Sequence, residues 1–451
     1  MTESQQSDTK HSQIEAQATR RRFLQTVAGV GVGALLGVGQ VEASMTSGGE
    51  ELWRFETGGQ VRSSPTVVDG TIFVGSRDNH VYALDAQTGE EQWHFETGGR
   101  VRSSPTVADG VVFVGSHDTH VYALDAETGD VYWRFKTGNM VPSSPTVAGG
   151  TVFVGSMGGN VYALDAATGD GRWRFETGDD SWFSRFTRTL NSVSASPTVA
   201  DGTVFVGSWD QHLYALDAQT GDEQWAFEAD GGVNSSPTVV GGTVFVGSAD
   251  NHVYALDVET GDGRWAFETG DRVWSSPTVA DGTLFVGSVD NHVYALDAAT
   301  GDKQWRFETG ASVYSSPTVA DGTVFVGSVD NNVYALDAAT GDVYWRFETD
   351  RGFHSPPTVV DGIVFIGSGD DHVYALDAGV EGSSECSRTS LGTLGHHDEE
   401  VVFDEDIDHP DDLDADFAAD EQLPGFGVGS ALAGIGAAGY LLKHRLDDSD
   451  H

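Results

Sequence analysis

The chain has 451 residues, with Lys+Arg 24 against Asp+Glu 69 and a formal net charge of -45. Charge of that sign argues against nucleic acid as a partner and against an anionic membrane surface as a partner of the whole molecule. A single cysteine, Cys386, excludes an internal disulfide, a four-thiolate zinc site and a CxxCH haem attachment.

Only four of the basic residues are lysines, Lys10, Lys136, Lys303 and Lys443. An acidic, lysine-poor surface suits a halophilic protein, because carboxylates hold hydrated cations. In molar salt the Debye length is about 3 Å, so recognition there works by contact rather than by long-range steering.

The first element in chain order is an address label over residues 1–43. Thr19-Arg20-Arg21-Arg22-Phe23-Leu24 precedes the uncharged run "TVAGVGVGALLGVG", and Val41-Glu42-Ala43 has the small-x-small form of a cleavage site. This arrangement resembles a twin-arginine export signal, which carries folded proteins across a membrane.

Residues 51–378 repeat one unit. Landmark tryptophans stand at Trp53, Trp93, Trp133, Trp173, Trp225, Trp265, Trp305 and Trp345, at intervals of 40 except for one of 52, so the array carries one insertion of 12 residues. Each unit holds four short segments rich in Val, Phe, Tyr and Trp; in the second these are "VRSSPTV", "VVFVGS", "HVYALDA" and "VYWRF", joined at "ADG", "HDT" and "ETGD". Tyr82 and Leu84 alternate with Val81 and Ala83, all apolar, so both faces of the strand are buried, as when sheets stack like blades around an axis.

Four strands per unit and eight units predict an all-β, eight-bladed propeller of antiparallel blades. The array opens on a lone tryptophan strand at 51–56 and ends on the "HVYALDA" strand at 372–378. The first strand is therefore expected to complete the last blade and leave no free edge.

"YALDAxTGxxxW" resembles the repeat signature of pyrroloquinoline-quinone (PQQ)-type propellers. That family includes quinone-dependent alcohol and glucose dehydrogenases, and also a cofactor-free scaffold of bacterial outer-membrane-protein assembly. The motif itself reads as structural: glycine for the turn, aspartate to end the strand, tryptophan to lock one blade to the next. A motif present in every blade marks no single site. The recurrent His80, His120, His212, His252, His292 and His372 are read as structural for the same reason.

In an up-and-down meander successive turns alternate between the two ends of the ring. Nearly all variation falls on the end holding the turns after "VFVGS" and the links between blades. The residue before the Ser pair runs Arg62, Arg102, Pro142, Ser194, Asn234, Trp274, Tyr314, His354, and the residue after "VGS" runs Arg77, His117, Met157, Trp209, Ala249, Val289, Val329, Gly369. The insertion, with Trp182, Phe183, Arg185, Phe186 and Arg188, belongs to the same end. Tryptophan and arginine concentrated on one face of an acidic framework read as a recognition surface, since arginine pairs carboxylate or phosphate and tryptophan stacks on sugar rings or planar ligands. The ligand-binding candidates are Arg62, Arg77, Arg102, Trp209, Trp274, Tyr314, His354, Trp182 and Arg185.

Residues 379–423 read as an acidic stalk, with 13 Asp or Glu between 398 and 421 and no Lys or Arg from Thr389 to Leu442. Residues 424–451 hold Pro424-Gly425-Phe426, an uncharged run to Leu442, and the basic cluster Lys443, His444, Arg445. Tripeptide, apolar run and basic end in that order resemble the C-terminal sorting signal of archaeal surface proteins, in which the tail is exchanged for a lipid; a plain transmembrane anchor is the alternative. Either reading puts the bulk of the chain outside the cytoplasmic membrane, tethered at the cell surface.

The expected function is therefore a non-catalytic scaffold or receptor that binds a protein or an anionic or carbohydrate ligand through the variable face, with no cofactor and no bound metal. The alternative implied by the resemblance is a PQQ-dependent dehydrogenase using the quinone with a divalent cation. The sequence lacks the adjacent cysteines and the acidic inserted loop of those enzymes. It also has no GxSxG, HExxH or phosphate-loop motif.

Overall fold

Each repeat folds into a four-stranded meander because its polar turns recur at fixed spacing between segments that are apolar on both faces. The computed structural model describes residues 48–178 and 191–384, with the backbone of His396–His397. Residues 1–43, expected as an export signal, residues 179–190 of the insertion, residues 424–451, expected as an anchor, and nearly all of the expected stalk lie outside the described residues.

Blade 1 consists of Thr66–Val68, Thr71–Gly75, His80–Asp85 and Glu91–Glu96, hydrogen-bonded in that order from the axis outward. The turn between its first two strands puts Asp69 at φ 50° and Gly70 at φ 78°, the two positive values a two-residue hairpin requires. Blades 2 to 7 begin at Thr106, Thr146, Thr198, Thr238, Thr278 and Thr318 and repeat the pattern. Blade 8 combines Thr358–Val360, Ile363–Gly367 and His372–Asp377 with the opening strand Glu51–Glu56, which pairs antiparallel with His372–Asp377 and sets Phe55 opposite Val373. The ring closes through the two ends of the repeat array, as the repeat count implies.

The core is a succession of layers between blades. On blade 1, Ile72, Val74, Tyr82 and Leu84 pack against Phe365, Val373 and Ala375 of blade 8, while Phe73, Val81 and Ala83 face Val112, Val114 and Leu124 of blade 2. The period-2 alternation of the strand thus feeds two different interfaces. Every landmark tryptophan donates its indole N–H to a carbonyl of the next blade, from Trp53 to Ala86 O at 3.1 Å round to Trp345 to Ala378 O at 3.1 Å. The glycine of the "TG" turn lies under that indole: at Gly89, φ is 72° and an added Cβ would stand 2.6 Å from the Trp53 ring.

The innermost strand is shorter than "VRSSPTV" suggests, only Thr106–Ala108 in blade 2. Proline removes a ladder donor there, and the hydroxyls before and after it bond sideways instead. Each threonine hydroxyl donates to the next blade's proline carbonyl, from Thr66 to Pro105 O at 2.6 Å to Thr358 back to Pro65 O at 2.6 Å, a closed circle of bonds around the axis. A second circle runs from the Ser64 amide to Ser104 Oγ at 2.8 Å and on to Ser316 Oγ, which accepts from Ser276 N at 2.9 Å. It stops at blade 8, where Pro356 replaces the serine and Ser64 Oγ is left without a partner.

The chain stays bonded to the ring past residue 378. The Ser384 amide donates to Val359 O at 2.7 Å and Asp361 N donates to Ser383 Oγ at 3.0 Å, and His396–His397 runs parallel to Thr106–Ala108. Among the described residues no helix is long and apolar enough to cross a membrane.

Candidate ligand-binding mouth

One backbone pattern fixes both sets of variable positions. The amide after each "VGS" donates to the carbonyl two residues before the inner variable position: Arg77 N to Gln60 O at 3.0 Å, His117 N to Arg100 O at 2.9 Å, Trp209 N to Ser192 O at 3.0 Å, Val289 N to Arg272 O at 2.9 Å. The framework is therefore uniform where the side chains are not. At "VGS" a side chain is excluded: a Cβ on Gly75 would lie 2.4 Å from Val101 Cγ1.

Around the axis the inner positions divide into sectors. On blades 6, 7 and 8, Trp274 and Tyr314 stack at 5.4 Å between centroids, and Tyr314 and His354 stack at 5.3 Å with planes only 6° apart. Trp209 meets Trp274 edge to face at 6.2 Å, and the Arg272 guanidinium lies over the Trp274 ring at 5.7 Å. The sequence suggests rings free to stack on a ligand. In the structure Tyr314 is held between its two neighbours, so its ring faces are already covered.

Next in the ring come the arginines of blades 1 and 2. Burial first, and then the charges of Arg102 and Arg77, pull the Arg62 guanidinium down to about 10. Arg102 moves down for the same kind of reason, with Arg77 and Arg100 as neighbours, although its exposed head lets solvent screen the effect. Desolvation, reinforced by Arg62, Arg102 and Arg77, holds the His354 imidazole at about 4, and His117 falls to about 4 through desolvation and the charges of Arg102, Arg100 and Arg77. Both histidines are neutral at pH 7.

Elsewhere in the ring Arg172 pairs with Asp165 at 2.7 Å and Arg264 with Asp257 at 2.8 Å. Among the described residues no carboxylate lies within ion-pair distance of Arg62, Arg77, Arg100 or Arg102; Arg77 bonds the neutral Gln60 amide instead. Nine buried side-chain polar atoms lack a partner among the described residues, and five belong to this mouth: Arg62 Nε, His117 Nε2, Asn234 Oδ1, Trp274 Nε1 and His354 Nδ1. Each such atom costs about 1–3 kcal/mol, and their concentration sets this end of the axis apart from the rest of the ring.

The structure thus brings together Arg62, Arg77, Arg102, Trp209, Trp274, Tyr314 and His354. Trp182 and Arg185 lie outside the described residues. Arg100, His117, Asn234 and Arg272 join the group; all four stand at variable positions, so the same signal points to them. The recurrent histidines have turn roles. His80 donates its amide to Asp78 Oδ1 at 3.0 Å, while Asp78 Oδ2 accepts from Tyr82 OH at 2.8 Å and Gly58 N at 2.7 Å.

Comparison with known proteins follows this geometry. Residues 37–176 match the family model described as outer membrane protein assembly factor BamB, and residues 183–394 match the one described as the β-propeller of a β-alanine-activating enzyme. Over residues 37–176 the repeats are thus similar to those of the BamB family model. Among solved structures, BamB from Moraxella catarrhalis is 21% identical with a TM-score of 0.63, over 73% of this chain and 99% of its own. Quinohemoprotein alcohol dehydrogenase from Comamonas testosteroni is 18% identical with a TM-score of 0.61, over 76% of this chain and 78% of its own. The computationally designed Ika8 protein is 17% identical with a TM-score of 0.64, over 72% of this chain and 99% of its own. At these identities the likeness is one of fold. No curated protein matches the chain.

The PQQ-like fold raises the question of whether this mouth fits a quinone with a divalent cation. Among the described residues no three His, Cys, Asp or Glu side chains converge to hold a metal ion, and the mouth offers guanidinium groups where a cation would need carboxylates. The described residues thus gather no ligand set for the cation of that pair.

Proposed function

We propose that this chain is an exported, surface-anchored propeller that binds a partner protein or ligand through its variable mouth and acts as a scaffold or receptor rather than as a catalyst. The observation that carries the reading is the half-ring of stacked aromatics and of arginines without a carboxylate partner among the described residues at one end of the axis, on a framework otherwise held by uniform bonds. Uniform positions hold the ring, so only the irregular ones are free to specify a partner. Export and tethering rest on the arginine-led segment 1–43 and on Pro424-Gly425-Phe426 with its apolar run and basic end.

The reading is tested by binding assays on the purified protein, with ultraviolet and visible spectra recorded before and after addition of quinone and calcium. Loss of partner binding on Trp274→Ala, with no quinone spectrum and no dye reduction, supports it. A bound quinone with dye-reducing activity overturns it in favour of a dehydrogenase.

A further inference from the structure

We propose that the arginine sector of the mouth, Arg62 and Arg102 with Arg77 and Arg100 around them, is a binding site for a phosphate-bearing ligand. This assignment rests on the reading of the mouth as a recognition surface and supplies the chemistry of what it recognises.

Charge is the first argument. The chain carries 69 acidic residues, and Arg172 and Arg264 on its outer strands take carboxylate partners within it. Among the described residues the four mouth arginines do not. Like charges gathered without a counter-ion are destabilising in the free protein, and an anion that enters removes that cost as well as adding its own bonds. Several guanidiniums at neighbouring positions of adjacent blades, close enough to depress one another's pKa, match a dianion better than a singly charged carboxylate.

Hydrogen-bonding capacity is the second. Among the described residues Arg62 Nε is a buried donor without an acceptor, and His117 Nε2 and His354 Nδ1 are buried imidazole nitrogens without a hydrogen-bond partner on the blades beside it. Phosphate offers acceptor oxygens in several directions at once, which guanidiniums on adjacent blades require.

Placement is the third. Positions 62 and 102 sit at equal register on neighbouring blades, two residues before Ser64 and Ser104, which are joined at 2.8 Å. Their backbone is therefore held before any ligand arrives, and the anion meets a preorganised site.

The effect of binding on the two histidines follows from the same geometry. His354 faces Arg62, Arg102, Arg77 and the Tyr314 ring, and His117 faces Arg102, Arg100, Arg77 and Asp118. A phosphate among those arginines offsets their charge and moves both imidazoles up.

The test is calorimetric titration of the full chain with pyrophosphate, inorganic phosphate, glucose 6-phosphate and citrate, at constant ionic strength set with sodium chloride. Histidine ring signals are followed by NMR in parallel. Blade 4 carries Ser194 at the inner position, so Arg62→Ser and Arg102→Ser place a residue the framework already accommodates.

Saturable phosphate or pyrophosphate binding is expected, weakened at least about tenfold by either substitution, with thermal melting of the ligand-free protein not lowered and an upward move of the His354 titration when phosphate is bound. Absence of phosphate binding, binding unaffected by the double substitution, or citrate binding as tightly as pyrophosphate overturns the assignment. A partner still lost on Trp274→Ala but retained by the double arginine variant would leave the mouth a recognition surface and remove only the phosphate.

Discussion

Replacing Trp53 by alanine tests whether the opening strand closes the ring. Its indole donates to Ala86 O at 3.1 Å, and its ring centroid lies 6.0 Å from that of Phe365. Trp225, inside blade 4, makes the same bond to Val258 O at 3.1 Å and is likewise half-buried. The lost hydrogen bond accounts for about 1 kcal/mol. A half-buried indole adds about 2 kcal/mol, below the range for a fully buried tryptophan. Unfolding entropy near 2.1 cal/mol/K per residue over the ~325 described residues converts that total of about 3 kcal/mol to a drop of about 4 °C in Tm. Scanning calorimetry of Trp53→Ala beside Trp225→Ala is the assay, and the two are expected to fall together. A Tm unchanged by Trp53→Ala while Trp225→Ala loses several degrees would refute the closed ring.

Further consequences follow from the same contacts. Thr358→Val removes the hydroxyl that donates to Pro65 O at 2.6 Å across the closing interface, and chemical denaturation should show a loss of about 1–3 kcal/mol. Gly89→Ala sets a Cβ 2.6 Å from the Trp53 ring at φ 72°, so it should destabilise more than Gly70→Ala, where φ is 78° but nothing lies within 4 Å. Because the folded pKa of His354 is about 4 against an ordinary 6.5, its contribution to stability is complete above about 6.5 and is lost as the pH falls towards 4; Arg62→Ser should move the NMR titration of His354 upward by removing the largest of the charges that act on it. Asp118 is pushed up by burial, but bonds from the His120 and Tyr122 side chains and from the Gly98 amide bring it down to about 2, so its stabilisation is present above about 4 and is lost on acidification towards 2, a loss absent from Asp118→Asn in acid denaturation.

Much of this architecture is legible in the sequence because the repeat states it eight times. Strands apolar on both faces, such as 81–84, imply stacked blades, and the unpaired tryptophan strand at one end with the missing one at the other implies closure. The bond circles of Ser64, Thr66 and their equivalents are not legible, since hydroxyl direction depends on the neighbouring blade's position. The placement of Arg62, Trp209 and Trp274 at one end follows from alternating turns alone. That Trp274, Tyr314 and His354 would stack on one another does not, because it depends on side-chain rotamers at three consecutive blades. The stalk boundary at 379 follows composition, whereas Ser383 and Ser384 remain tied to Val359 and Asp361 by bonds that composition does not encode.

The central claim is that the irregular residues at one mouth specify the partner. A thermal-melt screen in molar salt against acidic saccharides, acidic peptides and phosphates tests it directly. The screen is run on the full chain, on Arg62→Ser/Arg102→Ser/Trp274→Ala, and on Asp69→Asn/Asp109→Asn at the opposite end. A ligand that raises Tm for the full chain and the opposite-end variant but not for the mouth variant is the predicted result. A ligand whose stabilisation survives in the mouth variant and vanishes in the opposite-end variant would contradict it.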